Sequence, residues 1–297
     1  MSKRKICVVN QNRSEYSRIR SVIRALLARD DVETNIVVLR TKYSNSRVLF
    51  DADALPIHEE IWIDIDERVP IKVARAVGDA TREFARAFAK YAPDIVVVLG
   101  DRYEALAPAS AATYMNIRIA HIQGGETTGT LDEHTRHAIT KLAQWHFPAT
   151  PISRERLIKM GENPTHVITV GCPGTDTLFE SPRLTFEEMR YELYRYARRP
   201  EIFERLTLGY VLLLQFPVTT ELEDSACQIN ATLEALRLVA CPKILLTPIP
   251  DAGGETVESA IRAYGEEDAR ALLLKHIPPG LFINVMRHAG VMVGNSS

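Results

Sequence analysis

The 297-residue chain has no apolar run approaching the ~18 residues that a membrane-spanning helix needs. It also lacks an excess of either charge. Lys and Arg number 36 against 38 Asp and Glu, a formal net charge of −2, which removes the electrostatic case for nucleic acid or an anionic membrane as partner. Cysteine is scarce: Cys7, Cys172, Cys227 and Cys241 form no CxxC pair, so neither a disulfide framework nor a thiolate metal site is expected. The basic start at Ser2–Lys5 is followed by too short an apolar stretch for a secretory leader, and a reducing cytoplasm is the predicted setting. The GxGxxG fingerprint of dinucleotide binding is absent throughout. What the chain does have is 46% hydrophobic residues, enough for a sizeable core and about two domains, and too many for a disordered polypeptide.

Those apolar residues fall into short runs alternating with amphipathic stretches. Lys5–Val9, Asn35–Leu39, Asp94–Leu99 and Ile117–Ile122 read as strands; Ser17–Ala28, Ile71–Tyr91, Ala105–Met115 and Glu133–Gln144 have helical spacing. After a charged stretch at Glu187–Arg199, which reads as an exposed helix or linker, the alternation restarts. Tyr210–Leu214 and Lys243–Thr247 are predicted strands, Glu221–Val239 and Glu255–Leu272 predicted helices, and Val291–Val293 a closing strand. Strand–helix alternation implies parallel sheets covered on both faces. The expected fold is α/β, with two Rossmann-like domains and a cleft between them. The predicted boundaries are 1–180, a helical connection over 181–205, and 206–297. Because the sequence stops just after a strand, the second domain is expected to be incomplete.

Functional groups in such sheets sit in the loops at the carboxyl ends of the strands. After the first strand, Arg13 is expected just ahead of a helix N-terminus with Ser17 near its first turn, a combination suited to phosphate and equally to an ordinary exposed Arg with Ser14 as cap. After Asp94–Leu99 comes Gly100-Asp-Arg-Tyr-Glu104, where Asp101 faces the ligand side or simply caps a helix. After Ile117–Ile122 comes Gln123-Gly-Gly-Glu126, with Asp132 at the next helix start. Asp101, Glu126 and Asp132 thus offer three carboxylates from strand-end loops, the equipment of acid–base chemistry on a sugar. His134 and His137, on the following helix, are assigned packing roles. In the second half, Gln215–Thr220, Pro248–Gly254 and Gly294-Asn-Ser-Ser297 follow strands, the last a plausible phosphate cradle.

Taken together, Asn12–Ser17, Leu99–Glu104, Asn116–Glu126, Gly129–Ala143, Gly171–Pro173, Gln215–Thr220, Asp251–Gly253 and Gly294–Ser297 resemble the hydrolysing UDP-N-acetylglucosamine 2-epimerases, enzymes of sialic acid synthesis. The resemblance implies a glycosyltransferase-B-like fold, a UDP-sugar as partner, no cofactor, no metal, and a homodimer or higher homo-oligomer. It implies Asp101, Glu126 and Asp132 as catalytic carboxylates, with Arg13, Ser17, Arg102, Asp251, Ser296 and Ser297 binding the UDP-sugar. The implied reaction converts UDP-N-acetylglucosamine to N-acetylmannosamine and UDP through a 2-acetamidoglucal. Two alternatives are kept: a modified bacterial UDP-diacetamido sugar as substrate, and a catalytically weak nucleotide-sugar-binding homologue. The non-hydrolysing relatives carry Glu-Ala-Gly where this chain has Gln123-Gly-Gly, which disfavours them. Phe216 stands where the family has His, and Ile249 where it has Asn.

Overall fold

The structure is a computed structural model that describes residues 3–42, 44–66, 69–196, 206–218, 221–248, 254–275 and 277–295. The chain divides into two compact units, Met1–Thr177 and Leu178–Ser297.

The first unit is built on a six-stranded parallel sheet: β1 (Arg4–Asn10), β2 (Val32–Arg40), β3 (Glu59–Trp62), β4 (Ile95–Leu99), β5 (Arg118–Ile122) and β6 (Trp145–Phe147). The spatial order is β3-β2-β1-β4-β5-β6, so the chain reverses direction across the sheet between β1 and β4. This is a Rossmann arrangement, and such a reversal opens a crevice at the carboxyl ends of the two central strands.

Alternate strand residues bury against opposite helical layers. Cys7, Val9, Val96, Val98 and Ile119 pack with Phe84 and Phe88 of α3 (Pro70–Tyr91), the small residues of α4 (Tyr103–Tyr114) and Ile139 of α5 (Leu131–Leu142). Val8, Ile36, Val97 and Leu99 pack with Tyr16, Ile19 and Ile23 of α1 (Arg13–Leu27) and with Phe50 of α2 (Arg47–Ala52). α4 fits close to the sheet because its inward positions are Ala105, Ala107, Ala109, Ala111 and Ala112, all buried. Pro151 opens α6 (Pro151–Lys159), where Thr150 caps by accepting from the Ser153 N–H.

The second unit carries β7 (Val211–Leu214), β8 (Lys243–Leu246), β9 (Ala271–Leu274) and β10 (Val291–Gly294) as a parallel sheet ordered β10-β7-β8-β9. One face packs on α9 (Ser225–Arg237) and α10 (Gly254–Glu267), the other on α8 (Phe186–Tyr194) and α11 (Pro279–His288). α7 (Pro173–Glu180) runs from the first unit into the second. Gly294 has φ +153°, and a Cβ there would lie 1.8 Å from the Leu214 carbonyl oxygen, so the β7–β10 approach requires glycine at that point.

Four sequence readings change. The first helix starts at Arg13, not Ser17, because Asn12 caps it: its Oδ1 accepts from the Glu15 N–H at 3.1 Å. The predicted Glu255–Leu272 helix ends at Glu267, and Ala271–Leu274 pairs with β8 as a strand. Asp268 forces the break by accepting from the Arg270 N–H at 2.9 Å and from Lys243 Nζ at 3.0 Å. The charged Glu187–Arg199 stretch is not an exposed connection over its first half: α8 buries Met189 and Leu193 fully in the second core. Finally, β3, α2, β6, α6, α7 and α11 carry no sequence assignment and are present.

Candidate functional site

The carboxyl edge of the first sheet gathers three loops: β1–α1, β4–α4 and β5–α5. Gly100, at the end of β4, has φ +81° and turns the chain so that Asp101 and Arg102 follow. Arg102, not Asp101, is the N-cap residue of α4, and it caps without a side-chain hydrogen bond. Asp101 is therefore not a helix cap. Its carboxylate pairs with the guanidinium of Arg136, whose side chain is 2% exposed.

Arg136 is the residue that sequence reasoning missed. It lies on α5, and its Nη1 donates to the Glu126 carbonyl oxygen at 2.8 Å while Nη2 holds Asp101. One buried guanidinium thus ties the β4–α4 loop to the β5–α5 loop. Asp132 sits one helical turn before Arg136 and so on the same side of α5. Thr130 occupies the N-cap position, so Asp132 is not the cap either. The Asp101 carboxylate and the backbone of Glu126 are thus joined through Arg136, with Asp132 one turn away on the same helix. The signal in the sequence was the i, i+4 spacing of Asp132 and Arg136 on a helix that follows the glycine pair.

A second tie comes from His121 on β5, which is fully buried. Its Nε2 lies 2.8 Å from the Gly100 carbonyl and its Nδ1 lies 3.2 Å from Thr140 Oγ1. A carbonyl can only accept, so Nε2 carries the proton and Nδ1 accepts from the threonine. Burial pushes the imidazole down to about 4, keeping it neutral in that tautomer at working pH. Gly124 is needed beside it, since a Cβ there would lie 2.9 Å from His121 Nδ1. Gly125, at φ +83°, would bring a Cβ within 2.5 Å of the Ser153 carbonyl oxygen. Glu133 closes the loop by accepting from the Thr128 and Gly129 N–H groups at 2.6 and 2.8 Å, which holds its carboxyl below the ordinary range. Of the two helix histidines, His134 is exposed and His137 is half-buried beside Glu133.

The β1–α1 loop carries the other predicted residues. Arg13 is the first residue of α1 and is exposed, its N–H donating to Ser44 Oγ at 3.0 Å. Ser17 is in the second turn, not at the helix start; its Oγ turns back to the Ser14 carbonyl at 3.4 Å. Its backbone N–H is thereby within the helix ladder and not one of the open N–H groups of a helix terminus. Arg102 Nε donates to Glu104 Oε2 at 3.2 Å, beside the same crevice. In the second unit, Asp251, Ser296 and Ser297 lie outside the described residues, as do Ile249, Thr219 and Thr220. Asn295 is described: its side chain accepts from the Phe216 N–H at 2.8 Å and donates to the Phe216 carbonyl at 2.9 Å, clamping the β7 loop to the end of β10.

A cavity of about 430 Å³ in the first unit, lined by Ile6, Val22, Ile95, Ala120 and Trp145 among others, is apolar except for Asp176 and runs along the sheet face. It has none of the polar groups gathered at the carboxyl edge. Among the described residues, no three His, Cys, Asp or Glu side chains are placed to hold a metal ion, and no helix is long and apolar enough to cross a membrane.

With that geometry in place, comparison with known proteins is informative. A family model described as UDP-N-acetylglucosamine 2-epimerase matches residues 24–297. The UDP-N,N'-diacetylbacillosamine 2-epimerase (hydrolyzing) of Legionella pneumophila is 34% identical over 299 residues, covering 99% of this chain and 76% of that protein. The GDP/UDP-N,N'-diacetylbacillosamine 2-epimerase (hydrolyzing) of Campylobacter jejuni is 27% identical, covering 100% of this chain and 77% of that protein. Among solved structures, the UDP-GlcNAc 2-epimerase from Neisseria meningitidis bound to UDP-GlcNAc superposes with a TM-score of 0.84 at 17% identity, covering 98% of this chain and 78% of that one.

Proposed function

The chain belongs to the UDP-N-acetylglucosamine 2-epimerase family, and from that premise we propose that it is a hydrolysing 2-epimerase whose substrate is a UDP-linked 2-acetamido sugar, UDP-N,N'-diacetylbacillosamine before UDP-N-acetylglucosamine. The observation that carries the reading is the 34% identity, over 99% of this chain, to a hydrolysing enzyme named for that diacetamido substrate. UDP-N-acetylglucosamine, the substrate that the sequence resemblance puts first, becomes the second reading; a relative from Neisseria meningitidis named for it is 31% identical over 69% of the chain. A hydrolysing loop also suits the glycine pair: an Ala at position 124, as in the Glu-Ala-Gly of non-hydrolysing relatives, would press on His121 and Thr140.

The chemistry asks for groups that move protons at one carbon from two faces. Departure of UDP breaks the C1–O bond and leaves positive charge at C1, which acidifies the C2 hydrogen. A carboxylate takes that proton and the electron pair forms the C1–C2 double bond of a glycal. Water then adds oxygen to C1, and a second group returns a proton to C2 on the opposite face. In this reading Asp101, Glu126 and Asp132 are the proton-moving groups. Arg136 pairs with Asp101 and sets its position, while neutral His121 anchors the Gly100 turn that presents it. Arg13 and Arg102 supply positive charge for the diphosphate, with Ser17, Asp251, Ser296 and Ser297 proposed as further UDP-sugar contacts. No cofactor or metal enters the scheme.

The experiment is a comparison of the two UDP-sugars by initial rate of UDP release. The reading expects the diacetamido sugar to have the larger kcat/KM. A larger value for UDP-N-acetylglucosamine reverses the substrate order, and release from neither removes the enzymatic reading.

A further inference from the structure

Glu15 is an acid that the scheme above does not use. It sits in the first turn of α1, at the carboxyl end of β1, and is 1% exposed. Its Oε2 accepts from the Gln11 N–H at 3.3 Å, and its own N–H donates to Asn12 Oδ1 at 3.1 Å. A first-turn glutamate usually lies in water. Here Oε1 is buried without a hydrogen-bond partner, and a Cβ on Gly100 would lie 3.7 Å from it, so it faces the turn that leads to Asp101 and Arg102. Gln11 is also fully buried, with both side-chain amide atoms unpartnered.

The charged groups acting on Glu15 are Glu104 from α4, Arg18 from its own helix and Arg102 from the α4 N-cap. Glu104 is 4% exposed and takes the Arg102 Nε bond. Two buried carboxyls side by side cannot both ionise without a large cost, and Glu15 is the one with an unpartnered oxygen. Burial first, and the neighbouring Glu104 second, push its carboxyl up to about 8. Near pH 7 it is mostly uncharged, so it adds no further negative charge to those of Asp101 and Glu104 beside the arginines of these two loops.

We propose that Glu15 is a proton-carrying positioning residue: uncharged, it spares the β1–α1 and β4–α4 loops one negative charge and so favours the diphosphate of the ligand, and ligand binding draws a proton onto it. The inference rests on the proposed function for the identity of the ligand. Its physics is reciprocal: if an ionised Glu15 weakens diphosphate binding, bound diphosphate must raise the affinity of Glu15 for its proton by the same factor. For a tenfold coupling and a carboxyl half-ionised at pH 8, binding takes up about 0.4 proton per site at that pH, and affinity falls about fivefold from pH 7 to pH 9.

The test is calorimetry of UDP binding in buffers of different ionisation enthalpy at pH 8, where the diphosphate is already fully ionised. The wild-type chain is expected to take up a fraction of a proton, and Glu15→Gln none, with an affinity that no longer changes between pH 7 and pH 9. Equal uptake by the two proteins, or none by the wild type, overturns the proposal. The wild-type affinity series needs no variant: a flat profile from pH 7 to pH 9 overturns it equally, even if Glu15→Gln fails to fold. UDP-sugar turnover without Glu15-dependent uptake removes this proposal alone. Glu15-dependent uptake without turnover upholds it and counts against the reaction instead.

Discussion

Replacing Arg136 by Met removes the cation that joins two loops of the carboxyl edge while keeping much of its buried aliphatic volume. Breaking a buried ion pair by deleting one partner costs about 3–5 kcal/mol, because the surviving charge stays desolvated. The Asp101 side chain is 22% exposed, so water reaches the orphaned carboxylate and the lower end applies. The Glu126 carbonyl loses its 2.8 Å donor as well, worth about 1 kcal/mol. Arg136→Met should therefore lower stability by about 3–4 kcal/mol. Asp101→Asn should cost about 2 kcal/mol by leaving the guanidinium without its counter-charge. If the pair is a unit, the double variant should fall short of the sum by about 2 kcal/mol. Both tryptophans, Trp62 and Trp145, lie in the first unit, so urea unfolding followed by tryptophan fluorescence reports that unit. Additive losses, within about 0.5 kcal/mol, would refute the claim that Arg136 holds Asp101 in place.

Three further outcomes are expected. Asp101→Asn, Glu126→Gln and Asp132→Asn should each lower turnover by about 10²-fold or more while leaving UDP affinity within severalfold, and parallel losses of both would mark a residue as ligand-holding instead. Phe216→His should raise the rate of UDP release by about 10²-fold with little change in UDP affinity, since the backbone at 216 is fixed by Asn295 whichever side chain it bears; an unchanged rate would show that position 216 supplies nothing to the leaving group. Gly125→Ala should lower stability by about 3 kcal/mol or more, read from the same fluorescence transition, because φ +83° and a Cβ 2.5 Å from the Ser153 carbonyl oxygen penalise it together; a wild-type midpoint would contradict the geometry of that loop.

Much of the architecture was legible because parallel strands buried on both faces are uninterrupted apolar runs: Val96–Leu99 and Leu212–Leu214 could hardly be anything else. β3 was not, since Glu59-Glu-Ile-Trp62 has two acids in four residues and is held at the sheet edge by its register with Val37–Arg40. Ala271–Leu274 was absorbed into the preceding helix because four apolar residues carry no period of their own. At the site, strand-end position picked out Asp101 and the glycine pair correctly as loop residues. For Arg136 the spacing from Asp132 was the only local sign, and its partner Asp101 is 35 residues away; Glu15 had no such sign, since Glu104 lies on another helix. Ser17 was misplaced for a local reason, the cap at Asn12, which moved the helix start four residues upstream.

The most direct measurement of the central claim is proton NMR of the products formed from UDP-N,N'-diacetylbacillosamine in D₂O. The account predicts free UDP together with a free sugar inverted at C2 and carrying deuterium there, because the hydrogen returned to C2 comes from a solvent-exchanged acid. An inverted sugar still attached to UDP, or a free sugar that keeps its original C2 configuration and hydrogen, would contradict it.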